Sequence, residues 1–311
     1  MVGGGTAGLS GALTLARARR SVLVIDAGQP RNAPADGVHM YLGSEGIPPA
    51  DLLAKGRGEV EGYGGRIVHG EAVTAQKTDD GFLVTLADGA AVAARRLLVT
   101  TGLVDELPDV PGLAQRWGRE VLHCPYCHGW EVRDQSIGVL ATGPISIHQA
   151  LLWRQWSADV TLVLHSYRPD AEDSRRLAAR GVTVVDGPVA RLVVTDDRLA
   201  GVSLASGAVV GCQALVVTPR FSARSGLLQS LGLEATEQQM GGHPVGRYVA
   251  ADPTGATAVP GVWVAGNVAN LTAQVIGAAS AGVQAGAMIN ADLIAEETRL
   301  AVEASGERMA S

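Results

Sequence analysis

Short apolar runs separated by helical patterns recur along the chain and predict parallel strands that are connected by helices. Small and apolar residues lie on one face of the stretch Leu9–Arg20, and the continuous apolar run Val22–Asp26 follows it. Runs of this kind are typical of strands that helices cover on both faces of a sheet. The start of the chain therefore predicts a strand–turn–helix–strand unit.

The first strand of that unit is nearly missing from the sequence. Only Met1 and Val2 precede the first glycine, whereas a strand usually has about five residues. We expect either a very short first strand or a truncated start. Under either alternative, the prediction of a strand at the first position of the sheet is weaker.

A second unit of the same type begins near residue 136. It consists of strand Ser136–Ala141, turn Thr142–Pro144, helix Ile147–Trp156 and strand Val160–Leu164, and the run Ala214–Thr218 predicts its closing strand. Two such units in one chain indicate an internal duplication of a nucleotide-binding fold.

Three further strands are predicted between the two units. They are Arg66–Val68, Phe82–Leu86 and Arg96–Thr100, the last of which is closed by Gly102. The Pro- and Gly-containing stretch Pro108–Gly112 then predicts a linker.

The end of the chain carries one more strand, Gly261–Ala265, and a long helix rich in Ala and Gly, Ala273–Glu297. We predict that this part returns to complete the first domain. The expected fold class is α/β with two Rossmann-like nucleotide-binding domains of the three-layer ββα type. Residues 1–113 and 220–311 form one domain, and residues 114–219 form the other.

The composition narrows the class of protein. Apolar residues make up 47% of the 311 residues and charged residues 18%, which is enough to bury a large core. The net charge of −6 argues against a nucleic-acid surface. The sequence has no apolar run of about 18 residues and opens on a glycine-rich turn, so we expect no membrane span, no signal peptide and a cytoplasmic location.

The glycine-rich turn fits a dinucleotide fingerprint, Gly3-x-Gly5-x-x-Gly8, between a strand and a helix. In this pattern the first glycine makes the turn and the second lets the backbone approach a pyrophosphate. The third glycine permits close packing of the helix on the strand. The alternative is a glycine-rich turn that binds no ligand.

The residues around the turn supply the remaining dinucleotide contacts. Thr6 and Ala7 begin the helix, whose N-terminus offers free N–H groups and a positive dipole end to phosphate. Asp26 ends the second strand about 20 residues further on, where an acidic side chain accepts a hydrogen bond from a ribose hydroxyl. Gly102 is a further candidate cofactor contact at a strand end.

The C-terminal segment favours FAD over NAD. The strand that ends in Gly266-Asn267, followed by a long helix, resembles the second FAD-binding motif of two-domain flavoprotein disulfide reductases, which usually carry Gly-Asp. Asn267 keeps an amide oxygen for a ribityl hydroxyl. Gln274 and Val275 open the last helix, where backbone N–H groups are expected to face the flavin.

A pair of cysteines at C-x-x-C spacing is the candidate reactive centre. Cys124 and Cys127 can close a small disulfide ring, and such pairing lowers the pKa of one thiol. His128 follows directly and can carry the proton that thiol–disulfide exchange moves. The alternative is half of a zinc site, but only isolated Cys212 remains as a further cysteine, and we expect it to be buried. We predict no metal site.

These motifs together resemble the low-molecular-weight thioredoxin reductases, and the resemblance covers essentially the whole chain. It implies bound FAD and a homodimer. It also implies that Cys127 faces the flavin, that Cys124 exchanges with the substrate, and that His128 replaces the acid of the family.

Two departures concern the nicotinamide cofactor. The family's second fingerprint is Gly-x-Gly-x-x-Ala, whereas this chain has Ala141–Ser146, in which Pro144 lacks an N–H group. Of the paired arginines that hold the 2′-phosphate, only Arg168 remains. NADPH binding is therefore doubtful unless Arg168 or Arg175 compensates.

The sequence Cys-x-x-Cys-His resembles the dithiol oxidase branch of the family, which closes the disulfides of gliotoxin and holomycin. The resemblance implies that electrons pass from a small-molecule dithiol through the cysteine pair to FAD and then to oxygen. Two alternatives stay open. One is a thioredoxin reductase that uses NADPH or another donor to reduce a thioredoxin-like protein. The other is a non-catalytic flavoprotein redox sensor.

Overall fold

The computed structural model describes the backbone of residues 1–310 and the side chains of residues 1–306. Its helices, in chain order, are α1 (Thr6–Arg17), α2 (Pro49–Gly62), α3 (Leu113–Arg116), α4 (Pro125–His128), α5 (Ile145–Trp153), α6 (Ala171–Ala179), α7 (Gly226–Gln229) and α8 (Val275–Ala310). A short 3₁₀ turn, Gly266–Val268, precedes α8.

The strands comprise both parallel and antiparallel sets. They are β1 (Leu23–Asp26), β2 (Arg66–His69), β3 (Ala72–Thr78), β4 (Gly81–Leu86), β5 (Ala91–Ala94), β6 (Leu97–Val99), β7 (Leu103–Glu106), β8 (Val121–Leu122), β9 (Ile137–Leu140), β10 (Val160–Leu164), β11 (Thr183–Asp186), β12 (Val189–Thr195), β13 (Arg198–Leu204), β14 (Val209–Gly211), β15 (Ala214–Val216), β16 (Arg220–Ala223), β17 (Ala235–Met240), β18 (His243–Val249) and β19 (Val262–Val264).

The first parallel sheet is built around a first strand of minimal length. Val2 forms parallel bridges to both Ile25 and Val99, so it lies between β1 and β6. The pairs β1–β2 and β6–β19 are also parallel. Val2 is 4% exposed, because both neighbouring strands and the helices cover it. In this chain the first strand is therefore reduced to the bridges of Val2.

The C-terminal segment packs on the N-terminal segment. A Cβ atom at Gly282 of α8 would lie only 2.0 Å from the carbonyl oxygen of Ala7 in α1, and one at Gly286 would lie 2.9 Å from that of Gly11. The small residues of α8 therefore allow the backbones of the two helices to come into contact. The helix is longer than predicted, because no proline or glycine interrupts the polar stretch after Glu297 before Gly306.

The second parallel sheet has the strand order β11-β10-β9-β15-β8. Its buried strands include β9 and β15, in which every residue is buried, as their continuous apolar runs predict. A three-stranded antiparallel sheet accompanies each parallel sheet, with the orders β3-β4-β5 and β12-β13-β14. The fold is the predicted α/β class with two Rossmann-type units. The sequence analysis missed β3, β5 and β12 to β14, whose exposed alternate positions break the apolar runs.

A four-stranded sheet with the order β17-β18-β16-β7 lies beside these units. It joins β7, which follows the first sheet, to strands from the last third of the chain. This sheet brings Asp105 of β7 and Phe221 of β16 into register with each other. Both side chains become important at the site described next.

Candidate active site

A single large cleft of 1280 Å³ brings the predicted motifs together. Of the residues predicted from the sequence, all but Gly8 line it: Gly3, Gly5, Thr6, Ala7, Asp26, Gly102, Cys124, Cys127, His128, Gly266, Asn267, Gln274 and Val275. His39 also lies at this cleft. The structure thus places the cysteine pair and both parts of the dinucleotide pattern at one cavity.

The glycine-rich turn has the geometry of a phosphate cradle. Gly3 has φ of 101°, and a Cβ there would lie 2.5 Å from the carbonyl oxygen of Thr100. A Cβ at Gly8 would lie 1.9 Å from the carbonyl oxygen of Gly3, so only glycine permits this helix–strand contact. A Cβ at Gly5, by contrast, would meet no atom of the described chain within 4 Å. Gly5 therefore opens the turn toward the cleft.

The remaining contacts of the first fingerprint also fit a dinucleotide. The α1 helix begins at Thr6, so the N–H groups of its first turn have no partners within the helix. Asp26 accepts a hydrogen bond from the Gly4 N–H at 3.1 Å, which fixes its carboxylate at the edge of the turn. An FAD pyrophosphate fits the N–H groups, and a ribose hydroxyl fits the carboxylate.

The Asn267 side chain forms hydrogen bonds through both ends of its amide. Its amide nitrogen donates to the carbonyl oxygens of Asn270 at 3.0 Å and Ala273 at 2.9 Å. Its amide oxygen accepts a hydrogen bond from Arg31 at 3.3 Å. Asn267 therefore also shapes the loop that leads into α8.

Gln274 precedes α8, which begins at Val275 rather than at Gln274. Its side-chain nitrogen lies 3.9 Å from the sulfur of Cys124. The residue thus links the C-terminal motif to the cysteine pair.

The two cysteines differ in their tendency to ionise. Both are unbonded thiols in this structure, with Cys124 before α4 and Cys127 within it. A hydrogen bond from the Cys127 thiol, supported by backbone N–H groups, lowers the pKa of Cys124 to about 7 in spite of its burial. The same hydrogen bond raises the pKa of Cys127 above its usual range. The reduced pair therefore holds its negative charge on Cys124.

His128 is suited to accept a proton. Burial lowers its pKa below the usual 6.5, while the charge of Glu131 acts in the opposite direction. His39 lies near enough to contribute to this shift, and its ring nitrogens contact Glu45 at 2.7 Å and Glu131 at 3.5 Å. A neutral imidazole at pH 7 can act as a general base.

Sequence analysis missed an arginine at this site. Both Arg31 Nε and Nη2 donate to the carboxylate of Asp105, at 2.7 and 2.6 Å. The two residues are 74 positions apart, and Asn267 is 236 positions from Arg31, so no local spacing reveals the cluster. Knowledge that β7 pairs with β16 would have placed Asp105 opposite Phe221, the two side chains that both contact Arg31.

One N–H group of the nucleotide-type turn in the second domain is bound within the turn itself. The N–H of Thr142 donates to the hydroxyl of buried Ser146 at 3.1 Å. The carbonyl oxygen of Ala141 accepts from the N–H groups of Ser166 and Tyr167, which holds the loop after β10 against this turn. Arg168, the remaining candidate for a 2′-phosphate, pairs with Asp186 at 2.7 Å.

Cys212 behaves as the sequence indicated. It is 2% exposed in an apolar cluster, and burial raises its pKa to about 11. Among the residues with described side chains, no three His, Cys, Asp or Glu side chains are grouped as a metal site requires. None of the helices in the described part of the chain combines the length and apolar character of a membrane span.

The fold and this site define a flavin-dependent oxidoreductase that acts on sulfur groups. The chain belongs to the pyridine nucleotide-disulphide oxidoreductase family, whose sequence pattern matches residues 1–286. Membership of this family implies that the chain binds FAD, and the first fingerprint and the cleft fit that cofactor.

Named relatives place it closer still to thioredoxin reductases. The chain is 33% identical over 308 residues to thioredoxin reductase tcpT of Claviceps purpurea, covering 95% of this chain and 94% of the relative. It is 32% identical to thioredoxin reductase sirT of Leptosphaeria maculans, covering 93% and 92%. The crystal structure of HlmI superimposes with a TM-score of 0.92 at 44% identity, covering 99% of this chain and 96% of HlmI. The resemblance stated from the sequence is confirmed.

Proposed function

We propose that this protein is an FAD-dependent dithiol oxidase, which closes a disulfide in a small-molecule dithiol and uses oxygen as the electron acceptor. The reaction is dithiol plus O₂ to disulfide plus H₂O₂. The observation that carries the proposal is that the first nucleotide turn lines the same cleft as the cysteine pair, whereas the second turn lies outside this cleft and has one N–H group, that of Thr142, bound by Ser146. The first turn can therefore place an oxidant for thiols beside the cysteines, while the altered second turn has lost features that hold a nicotinamide cofactor.

The cysteine pair performs the thiol exchange in two steps. One thiolate of the substrate attacks the Cys124 sulfur of the Cys124–Cys127 disulfide, and Cys127 leaves. The second substrate thiolate then attacks the substrate sulfur that is bound to Cys124, which closes the product disulfide and releases Cys124. The lowered pKa of Cys124, about 7, supports this second step because a low-pKa thiol is the better leaving group.

His128 accepts the proton of one substrate thiol and passes it to the departing Cys127 thiolate, and it is then free to accept the proton of the second substrate thiol. Its pKa is lowered by burial, so the imidazole is neutral and ready to accept a proton at pH 7. Bound FAD supplies the two-electron acceptor for the reduced cysteine pair and the reactivity with oxygen. Gly3, Gly5, Thr6, Ala7 and the residues opposite them would hold it. We take Cys127 as the flavin-facing cysteine on the family resemblance.

Thioredoxin reductase activity is the second candidate, and the names of the relatives from Claviceps purpurea and Leptosphaeria maculans favour it. In that case electrons flow from NADPH or another donor to the cysteine pair and then to a protein disulfide. The ion pair of Arg168 with Asp186 and the internal bonds of Thr142 weigh against NADPH as the donor.

Oxygen consumption with a panel of small dithiols, with and without NADPH, tests the proposal. We expect uptake with at least one dithiol in the absence of NADPH, one H₂O₂ per disulfide, and loss of uptake in Cys127→Ser. Uptake that depends on NADPH, or reduction of thioredoxin by NADPH, would support the second candidate instead.

The homodimer and the cytoplasmic location also stay as proposals. Helix α8 exposes large apolar side chains, among them Ile276, Val283, Ile294 and Leu300, each between 44% and 49% exposed. We propose that a second copy of the chain covers part of this helix, as the family resemblance implies. Light scattering on the purified protein measures the mass and decides between one and two copies.

A further inference from the structure

Arg31 is held rigidly at the cleft from two sides. Its Nε and Nη2 atoms form a two-point ion pair with Asp105, whose side chain is only 6% exposed. Its Nη1 atom reaches the amide oxygen of Asn267 at 3.3 Å. Paired hydrogen bonds of this geometry fix the plane of a guanidinium group, which stays charged at any pH that the protein meets.

Aromatic contacts connect Arg31 to the segment that carries the cysteines. The guanidinium carbon lies 5.3 Å from the centre of the Phe221 ring. The His123 ring meets the same phenyl ring edge-on, with 5.3 Å between the ring centres. His123 directly precedes Cys124, and Arg31 lines the same cleft as both sulfurs. Arg31 is therefore connected to the segment that carries the thiol pair through two ring side chains, Phe221 and His123.

The charge of Arg31 acts on the cysteine pair and on the neighbouring His123. It favours the thiolate forms of Cys124 and Cys127, although the hydrogen bond between the two thiols has the larger effect on both pKa values, and the charge of Asp105 opposes its effect on His123. The third partner, Asn267, is neutral. An aspartate at position 267 would add a second negative charge beside the guanidinium and could not donate to the carbonyl oxygens of Asn270 and Ala273.

We propose that Arg31 is a positioning residue of the redox centre: held by Asp105 and Asn267, its guanidinium presents a fixed positive charge to the two sulfurs and stabilises the sulfur anion that thiol exchange requires. This inference rests on the proposed function, since it assigns Arg31 a role in the same exchange. Arg31 contacts neither the described sulfurs nor the reacting bond directly. Its effect is therefore on the ionisation of the pair rather than on a proton transfer of its own.

Four substitutions test the sign of this effect. Arg31→Gln removes the charge, and Asn267→Asp adds a negative charge beside it, so both are expected to raise the pKa of the reactive thiol. Asp105→Asn removes the neutralising carboxylate and is expected to lower it. Arg31→Lys keeps the charge without the two-point contact and is expected to stay closest to the unmodified chain.

The measurement is the pH dependence of iodoacetamide alkylation of the reduced, FAD-loaded protein under anaerobic conditions. We expect the midpoint to rise by roughly one pH unit in Arg31→Gln, since one nearby opposite charge shifts a pKa by about that much. At a pH below the midpoint the alkylation rate then falls about tenfold. Arg96→Gln is the matched control, because Arg96 is a partly buried arginine paired with Asp292, away from the cleft.

Midpoints of Arg31→Gln and Asn267→Asp that equal that of the unmodified chain, with FAD content and circular dichroism unchanged, would overturn the inference. If Arg31→Gln does not hold FAD, the opposite shifts expected for Asn267→Asp and Asp105→Asn decide the question. Alkylation needs no oxygen and no nicotinamide. A shifted midpoint without dithiol-dependent oxygen uptake therefore supports the role of Arg31 while removing the proposed oxidase function, and uptake with an unmoved midpoint does the reverse.

Discussion

The chain contains two turns of the same type, each between a parallel strand and a helix. They differ in their position relative to the cleft and in the hydrogen bonds of their polar groups. At the first turn, Gly3–Gly8, the position of Gly5 is open to the cleft. At the second turn, Ala141–Ser146, the N–H of Thr142 is bound by the Ser146 hydroxyl, which itself donates to the carbonyl oxygen of Leu140. Both turns thus bind some of their own N–H groups internally, and they differ in that the first turn lines the cleft of the cysteine pair whereas the second turn does not.

This difference teaches that a nucleotide-type fold does not by itself imply a bound nucleotide. Ser146 and Pro144 do not disturb the helix α5, which still packs its apolar face on the second sheet. They change only the loop that follows strand β9, where a bound phosphate would need free N–H groups. The second domain then contributes its cysteine pair to the cleft of the first.

The largest expected effect concerns the cysteine pair that the second domain places at this cleft. Cys124→Ser and Cys127→Ser each remove a sulfur that the exchange needs, so dithiol-dependent oxygen uptake is expected to fall at least about a thousandfold. An oxygen electrode measures it. Cys212→Ala is the control, since Cys212 is buried in the core away from the cleft and its loss is expected to leave uptake near normal. Uptake that survives in Cys127→Ser contradicts the exchange mechanism.

Matched substitutions at the two turns test the contrast itself. Gly5→Val and Gly143→Val both place a side chain where the described structure leaves open space. We expect Gly5→Val to weaken FAD binding roughly a hundredfold, because about two charge-assisted hydrogen bonds to phosphate are blocked. Gly143→Val is expected to leave FAD content and uptake unchanged. The measurement is flavin absorbance per protein after dialysis. Equal losses in both variants would show that the two turns are equivalent.

A smaller effect is expected from the base beside the cysteines. His128→Gln removes the proton acceptor and is expected to slow dithiol oxidation about a hundredfold. Since the folded pKa of His128 lies below 6.5, the neutral base persists under mildly acid conditions, and the rate of the unmodified chain falls only when the pH drops through that lowered pKa. A pH–rate profile checks this, and the acid limb should vanish in His128→Gln. An unchanged acid limb in the variant assigns it to another group.

The smallest expected effect is the response to NADPH. A ligand raises the melting temperature in proportion to its binding, so millimolar NADPH is expected to leave the thermal midpoint unchanged, whereas FAD added to stripped protein raises it by several degrees. Differential scanning fluorimetry compares the two. A rise with NADPH that Ser146→Leu abolishes would show that the second turn still binds a nucleotide.

Much of this could be predicted from the sequence because the strongest patterns are local. The fingerprint Gly3–Gly8, the spacing of Cys124 and Cys127, and the motif at Gly266 each lie within a few residues of chain. Each demands a particular backbone or chemistry, and all of them reach the same cleft. The buried state of Cys212 followed equally from its isolation in a strand-like segment.

The parts that could not be predicted depend on contacts between distant segments. Asp105 and Phe221, which both contact Arg31, lie opposite each other only because β7 and β16 pair in a sheet that no apolar run predicts. The bond of Ser146 to Thr142 needed the geometry of the turn, although the altered sequence of that turn already pointed to a weakened site. The orientation of the Asn267 side chain was likewise fixed by its neighbours and not by its residue type.

The direction of electron flow is the central claim, and anaerobic rapid mixing tests it most directly. The absorbance of the bound flavin near 450 nm is followed after the protein is mixed with a small dithiol and, separately, with NADPH. The proposed oxidase loses this absorbance within seconds with the dithiol and keeps it with NADPH. Rapid loss with NADPH and none with any dithiol of the panel would contradict the oxidase and identify a reductase that works in the opposite direction.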